Sequence, residues 1–317
     1  MSPDLVESQM LSVRLCAMTD AAGQASNEDA CLALETARAS MVLVADGVGG
    51  HARGEVASDI AICAAKDFLT GPEAPLPGPE ALRDALDCAQ RALRDEIERT
   101  PRARTMRSTL MIAMANREQL WIGHVGDCRA YMVRDGVARQ LTRDDTIVQS
   151  LLDMGQIDAI AARKHSKGNV LLQSIGDPKE IEYHVSDPIP VRENDVLIVC
   201  SDGLSDVVED GEIAASVRSG TSDDMARRLV DAALARKAPD NVSVAVMVWR
   251  KSQRRLSIAA RKHPHASPGR KKRRKSDHFM VAVAVSLLAA GMLIATAVYR
   301  KQSHRREEPR AVSSEPR

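Results

Sequence analysis

Asp46-Gly47-Val48-Gly49-Gly50 follows directly on the apolar run Met41-Val42-Leu43-Val44-Ala45. A buried strand there delivers a carboxylate and a loop almost free of side chains to one edge of a sheet. Glycine lets the backbone turn tightly and present its own carbonyl, and the aspartate supplies the charge that a hard cation such as Mg2+ or Mn2+ prefers. An Asp-Gly pair is also an ordinary turn, so the recurrence of the pattern carries more weight than one instance. Asp202-Gly203 follows Val196-Leu197-Ile198-Val199-Cys200, and Gly126-Asp127 follows Leu120-Trp121-Ile122-Gly123-His124-Val125. Asn27-Glu28-Asp29 and Pro239-Asp240-Asn241 stand where strand-like runs begin. Antiparallel pairing can gather all five at one rim. Packed carboxylates repel and take up protons unless cations hold them ionised, and an all-oxygen set selects Mg2+ or Mn2+ over zinc.

The elements that must position these residues follow from period and punctuation. Strands are predicted near 11–18, 30–36, 40–46, 108–115, 119–126, 129–134, 137–141, 181–187, 195–201 and 241–249, with Arg134-Asp135-Gly136 as a hairpin turn. Two long amphipathic helices fit 54–70 and 79–99, separated by Gly71-Pro72, Pro75, Pro77 and Gly78-Pro79. Shorter helices are predicted at 144–154, 158–163, 169–175, 209–218 and 222–236. Two blocks of strands with paired helices suggest two sheets flanked by helices, an α+β fold.

The order and wording of the motifs resemble the type 2C family of metal-dependent protein Ser/Thr phosphatases, in its bacterial branch. The likeness runs through Asn27-Glu28-Asp29, Asp46 to Gly50 with His51, Gly54-Glu55-Val56-Ala57-Ser58, and Met106 to Leu110. It continues through Gly126-Asp127-Cys128-Arg129, Asp144-Asp145-Thr146, Ser201-Asp202-Gly203-Leu204 and Pro239-Asp240-Asn241-Val242, covering roughly residues 10 to 249. The resemblance implies a four-layer αββα sandwich with a mobile flap over about 144–180. It implies hydrolysis of phosphoserine and phosphothreonine in proteins by water that two Mn2+ or Mg2+ ions activate, with no covalent nucleophile. Asp46 would bridge both ions, Gly47 would bind through its carbonyl, Asp202 and Asp240 would hold one ion and Glu28 the other. Asp127 would help to hold a third, weaker ion, and Asp29 and Asn241 would orient waters and carboxylates.

Two departures from the family pattern bear on the substrate phosphate. The family's phosphate-gripping arginine, three residues before the Asn of the first motif, is here Gln24, which offers an amide but no charge. Arg107 and Arg53 are unexpected bases near the metal loop, and either could compensate. The alternative is a membrane-anchored pseudophosphatase that binds phosphoproteins without turning them over; the intact carboxylates argue against it. Eukaryotic relatives tend to have histidine where Val48 stands, so the proton for the leaving group would come from His51 or from a water. His124, alternating on an apolar strand, reads as packed.

Charge divides the chain. Residues 1–249 carry 26 Lys+Arg against 39 Asp+Glu, and residues 250–317 carry 18 against 4. An acidic rim and only seven aromatic residues argue against nucleic acid as a ligand. The six cysteines form no CxxC pair and read as small buried hydrophobes in a reducing cytoplasm. Phe279 to Tyr299 carries no charge over 21 residues, long enough as a helix to cross a bilayer core of about 30 Å. The organisation predicted is therefore a catalytic domain at 1–249, a basic, disordered linker at 250–278, a transmembrane helix at 279–299 and a polar tail at 300–317. Arg270-Lys271-Lys272-Arg273-Arg274-Lys275 lies just before the span, and positive charge stays on the cytoplasmic side. The expectation is a single-pass protein of the inner (plasma) membrane with its catalytic domain cytoplasmic. Phosphorylated proteins are the expected partners, with a membrane Ser/Thr kinase as counterpart.

Overall fold

A computed structural model describes residues 11–48, 53–100, 104–163, 165–168 and 170–251. They belong to a compact unit, Met1–Arg255. The predicted span, most of the basic linker, the tail and His51 lie outside the described residues. Among the described residues no helix is long and apolar enough to cross a membrane.

In chain order, β1 (Leu11–Asp20), β2 (Asp29–Glu35) and β3 (Ser40–Val48) precede α1 (Gly54–Thr70) and α2 (Pro79–Arg99). β4 (Arg107–Ser108), β5 (Leu110–Ala115), β6 (Gln119–Val125), β7 (Arg129–Arg134) and β8 (Val137–Gln140) follow. Then come α3 (Ile147–Asp153), α4 (Ala159–Ala162), β9 (His184–Val185), β10 (Ile189–Pro190) and β11 (Val196–Cys200). The described residues close with α5 (Asp202–Ser205), α6 (Asp210–Ser216), α7 (Ser222–Ala235) and β12 (Val242–Lys251).

One sheet has the order β1-β12-β11-β7-β8; the other runs β10-β6-β5-β3-β2, with β4 on β3 and β9 on β6. Every pairing is antiparallel. Strand alternation builds the layers, because successive side chains point to opposite faces. On β3, Met41, Leu43 and Ala45 pack toward α1 and α2, whereas Val42 and Val44 join the core between the sheets. On β12, Val242, Val244, Val246 and Val248 face α6 and α7, whereas Ala245, Met247 and Trp249 face the other sheet. Helices, sheet, sheet and helices thus form the four layers expected.

The two long helices have the predicted bounds because Gly and Pro bracket them; Pro79 sits in the first turn of α2, where its missing N–H costs nothing. The hairpin after β7 turns on Asp135 and Gly136, both with positive φ. Three expectations are corrected. Of the helix predicted at 169–175, the described residues 170–175 are not helical: Leu171 bridges Thr146 and Ile175 bridges Ser108. Their backbone groups are committed to neighbours, with Ile147 N–H donating to Val170 O and Leu172 N–H to Asp145 O. The strand predicted at 181–187 shrinks to the two residues of β9, and the equally short β10 follows it. β12 continues to Lys251, into the predicted linker. Among the cysteines, Cys128 and Cys200 are buried, but Cys63 is exposed on α1.

Candidate active site

Pairing of β2 with β3 sets Asp29 directly opposite Asp46 on neighbouring strands. The end of β3 is tightly fixed. Asp46 N–H donates to Thr109 Oγ1 at 2.8 Å, and its carbonyl accepts from Ser108 Oγ at 3.0 Å and Thr109 N–H at 2.8 Å. Gly47 N–H reaches the Glu28 carbonyl at 3.1 Å, and a Cβ on Gly47 would overlap the carbonyls of Gly54 and Glu28. No side chain fits there.

The other sheet brings its carboxylates to the same rim. Asp202 opens α5 directly after β11, Asp127 sits in the β6–β7 turn, and Asp240 and Asn241 precede β12. Asn241 ties the sheets together: its Oδ1 accepts from Glu28 N–H at 2.7 Å, and its Nδ2 donates to the carbonyls of Ala21 and Ser26. Ser201 Oγ donates to Asp29 Oδ2 at 2.7 Å while accepting from Ser243 N–H at 3.0 Å. Glu28, Asp46, Gly47, Asp127, Asp202 and Asp240 all line one cleft of about 420 Å3, bordered also by Gln24 and Asn241. A neighbouring cavity of about 540 Å3 shares Asp127 and Asp202 and has the segment holding α3 and α4 as its far wall.

Electrostatics at this rim are unfavourable for bare carboxylates. Burial pushes Asp29 up to about 7, and the charges of Asp240 and Asp127 add to it against the hydrogen bonds from Ser201 and Ser243. Burial and Asp144 push Asp127 up to about 7, against its own backbone hydrogen bond and Arg129. Asp46 and Asp202 lie well above the usual carboxylate range, again from burial first and then from neighbouring aspartates. Glu28 is raised by burial, then by Glu55 and Asp240. Among the described residues, no three His, Cys, Asp or Glu side chains converge tightly enough to hold one metal ion as they stand. The carboxylates of Glu28, Asp46, Asp127, Asp202 and Asp240 nonetheless line the same cleft.

The three candidates for the substrate phosphate separate. Gln24 borders the cleft, its Nε2 donating to Pro239 O at 2.7 Å. Arg107 pairs opposite Val48, but its Nη1 turns back to the carbonyls of Met106 at 2.7 Å and Arg104 at 3.2 Å. Arg53 is exposed in the left-handed region at φ 71° before α1. Neither arginine is among the described residues lining the cleft. His124 is packed as expected, buried and stacked on His184. Sequence reasoning missed the pairing of Arg129 with Asp144, whose guanidinium donates through Nε and Nη2 at 2.7–3.1 Å. The Asp144-Asp145-Thr146 motif was the available signal, but the chain alone does not say which base meets it.

Residues 19–237 match the family model described as protein phosphatase 2C. The chain is 36% identical over 230 residues to the serine/threonine protein phosphatase PstP of Mycobacterium tuberculosis, a match covering 70% of this chain and 42% of that protein. It therefore spans less than half the length of that relative. It is 31% identical over 211 residues to the serine/threonine phosphatase stp of Listeria monocytogenes, covering 65% of this chain and 83% of that one. The crystal structure of the catalytic domain of PstP in complex with 2 manganese ions superimposes with a TM-score of 0.67 at 33% identity, covering 76% of this chain and 99% of that one. Serine/threonine phosphatase Stp1 from Staphylococcus aureus gives a TM-score of 0.70 at 27% identity, covering 75% and 95%.

Proposed function

The chain belongs to the protein phosphatase 2C family, and from that premise we propose that it hydrolyses phosphoserine and phosphothreonine in proteins, with two Mn2+ or Mg2+ ions held at the carboxylate rim. One observation carries the reading: half-buried Asp46 and buried Asp127 and Asp202 line one cleft, with buried Asp29 paired opposite Asp46, and burial and neighbouring charge push every one of them up. Divalent cations remove that penalty, and an all-oxygen donor set suits Mg2+ or Mn2+. The manganese in the PstP complex supports the same choice.

When bound, such ions acidify the attacking water and neutralise the phosphate oxygens. Asp46 would serve both ions, Gly47 would bind through its carbonyl, Asp202 and Asp240 would hold one ion and Glu28 the other, and Asp127 would help to hold a third, weaker one. The remaining work belongs to hydrogen bonds of the chain. Thr109 and Ser108 fix the backbone of Asp46, Asn241 fixes that of Glu28, and Ser201 orients Asp29. Gln24 has an amide at the cleft wall to offer to a substrate phosphate. Val48, 39% exposed at the rim, can move no proton. Phosphate release from a phosphothreonine peptide is expected to require Mn2+ and to stop in EDTA. Binding of the peptide with no Mn2+-dependent release would favour the pseudophosphatase reading.

The reading extends to a membrane tether. The 21 uncharged residues from Phe279 to Tyr299, with ten Lys and Arg between Arg254 and Lys275, support a single span with the catalytic unit on the cytoplasmic side. Tethering raises encounters with other membrane proteins, and a transmembrane Ser/Thr kinase and its substrates are the counterparts proposed. A fluorescent fusion of the full chain is expected at the membrane, and one ending at Lys251 in the cytosol. Recovery of the full chain in the soluble fraction would overturn the tether.

A further inference from the structure

Asp145 is a junction whose partners come from three places in the chain. Its Oδ2 accepts from Gly126 N–H at 2.9 Å, and its own N–H returns to Gly126 O at 3.1 Å. Its carbonyl accepts from Leu172 N–H at 2.7 Å, beside the bridge between Thr146 and Leu171. Its Oδ1 lies 2.7 Å from His184 Nε2. A carboxylate only accepts, so Nε2 carries the proton and donates. His184 is itself held: it pairs with His124 across β6 and β9, and the two rings stack with centroids 5.0 Å apart. The residues before and after the segment holding α3 and α4 therefore meet on Asp145, and Asp145 alone holds the Gly126 amide.

That amide precedes Asp127. Gly126 has φ 99°, a conformation that L side chains rarely adopt, and a Cβ there would run into Thr109. Thr109 is the residue whose hydroxyl accepts from Asp46 N–H. The turn thus leans on one rim residue's support and carries another rim residue, and Asp145 is its clamp. We propose that His184 and Asp145 are positioning residues: together they pin the Gly126–Asp127 turn, and with it Leu171 at the cleft, so that Asp127 stays aimed at the rim. His184 is not among the described residues lining the cleft; it acts through Asp145. The inference rests on the phosphatase reading for its consequence in catalysis, though not for the pin itself.

The test compares His184→Leu, which removes the donor, with His184→Gln, whose amide places a donor near the position of Nε2. Hydrogen exchange at the Gly126 amide is measured in the full-length protein without metal. Loss of a charge-assisted hydrogen bond is expected to speed that exchange by about tenfold or more in His184→Leu, with His184→Gln within about threefold of wild type. In parallel, the Mn2+ concentration giving half-maximal phosphate release is expected to rise severalfold in His184→Leu and to return toward wild type in His184→Gln. Unchanged exchange in His184→Leu would overturn the pin, as would equal acceleration in both variants. If the wild-type protein released no phosphate with Mn2+, the phosphatase reading would fall, while the exchange data would still decide the pin.

Discussion

Asp46→Asn and Asp202→Asn are each expected to lower Mn2+-dependent phosphate release by about a thousandfold or more, equivalent to about 4 kcal/mol of transition-state stabilisation. Each substitution keeps the shape of the side chain and removes one negative oxygen from the cleft. The same changes should leave the metal-free fold intact or firmer. A carboxyl raised by burial binds more protons folded than unfolded, so its cost grows as pH climbs from about 4 and is complete above the folded value. Asp29 and Asp127, at about 7, place the upper end of that window near neutrality. Thermal unfolding without metal should show Asp46→Asn above wild type at pH 8, with the gap closing toward pH 4. Activity within about tenfold of wild type would count against ions at this rim.

The second large effect concerns Gln24. An arginine there would grip two phosphate oxygens through a charged fork, where glutamine offers one neutral donor, and charge-assisted bonds are worth about 1.5–3 kcal/mol. Gln24→Arg is therefore expected to raise kcat/KM on small phosphate esters by roughly 10- to 150-fold. Its Nε2 already sits at the cleft wall, so the longer side chain starts from the right place. Arg107 is turned onto its own backbone, which favours a gain over a neutral result. Should Gln24→Arg prove neutral while Arg107→Ala or Arg53→Ala cripples the rate, one of those arginines already serves the phosphate. If all three leave kcat/KM unchanged, this active site needs no arginine on its substrate.

What the chain disclosed in advance follows a physical division. α1 and α2 were legible to the residue because apolar spacing and Gly or Pro punctuation agree there. The rim carboxylates were legible because each stands beside a strand-like run, and antiparallel pairing leaves few ways to arrange such ends. Val170-Leu171-Leu172 misled because a short apolar run carries no period of its own; pairing with Thr146 decided its form. α5 is too short to leave a pattern. Most opaque were side-chain partnerships across the fold, Arg129 with Asp144 and His184 with Asp145, which depend on how loops return rather than on any local signal.

The placement of β12 has a consequence for how the molecule is made. This strand, the last among the described residues, lies between β1 and β11, and Ser12 Oγ donates to Arg250 O across 238 positions of chain. Closing so long a loop costs little extra stability, since each doubling adds only about 0.6 kcal/mol. It costs time, because pairings so remote in sequence must be searched for before they reward the chain. Until residues 240 onward are synthesised, β1 and the outer edge of β11 are bare and open to wrong partners, and the rim lacks Asp240 and Asn241. The sheet and the carboxylate rim are thus completed by the same stretch of chain, Asp240 and Asn241 running directly into β12.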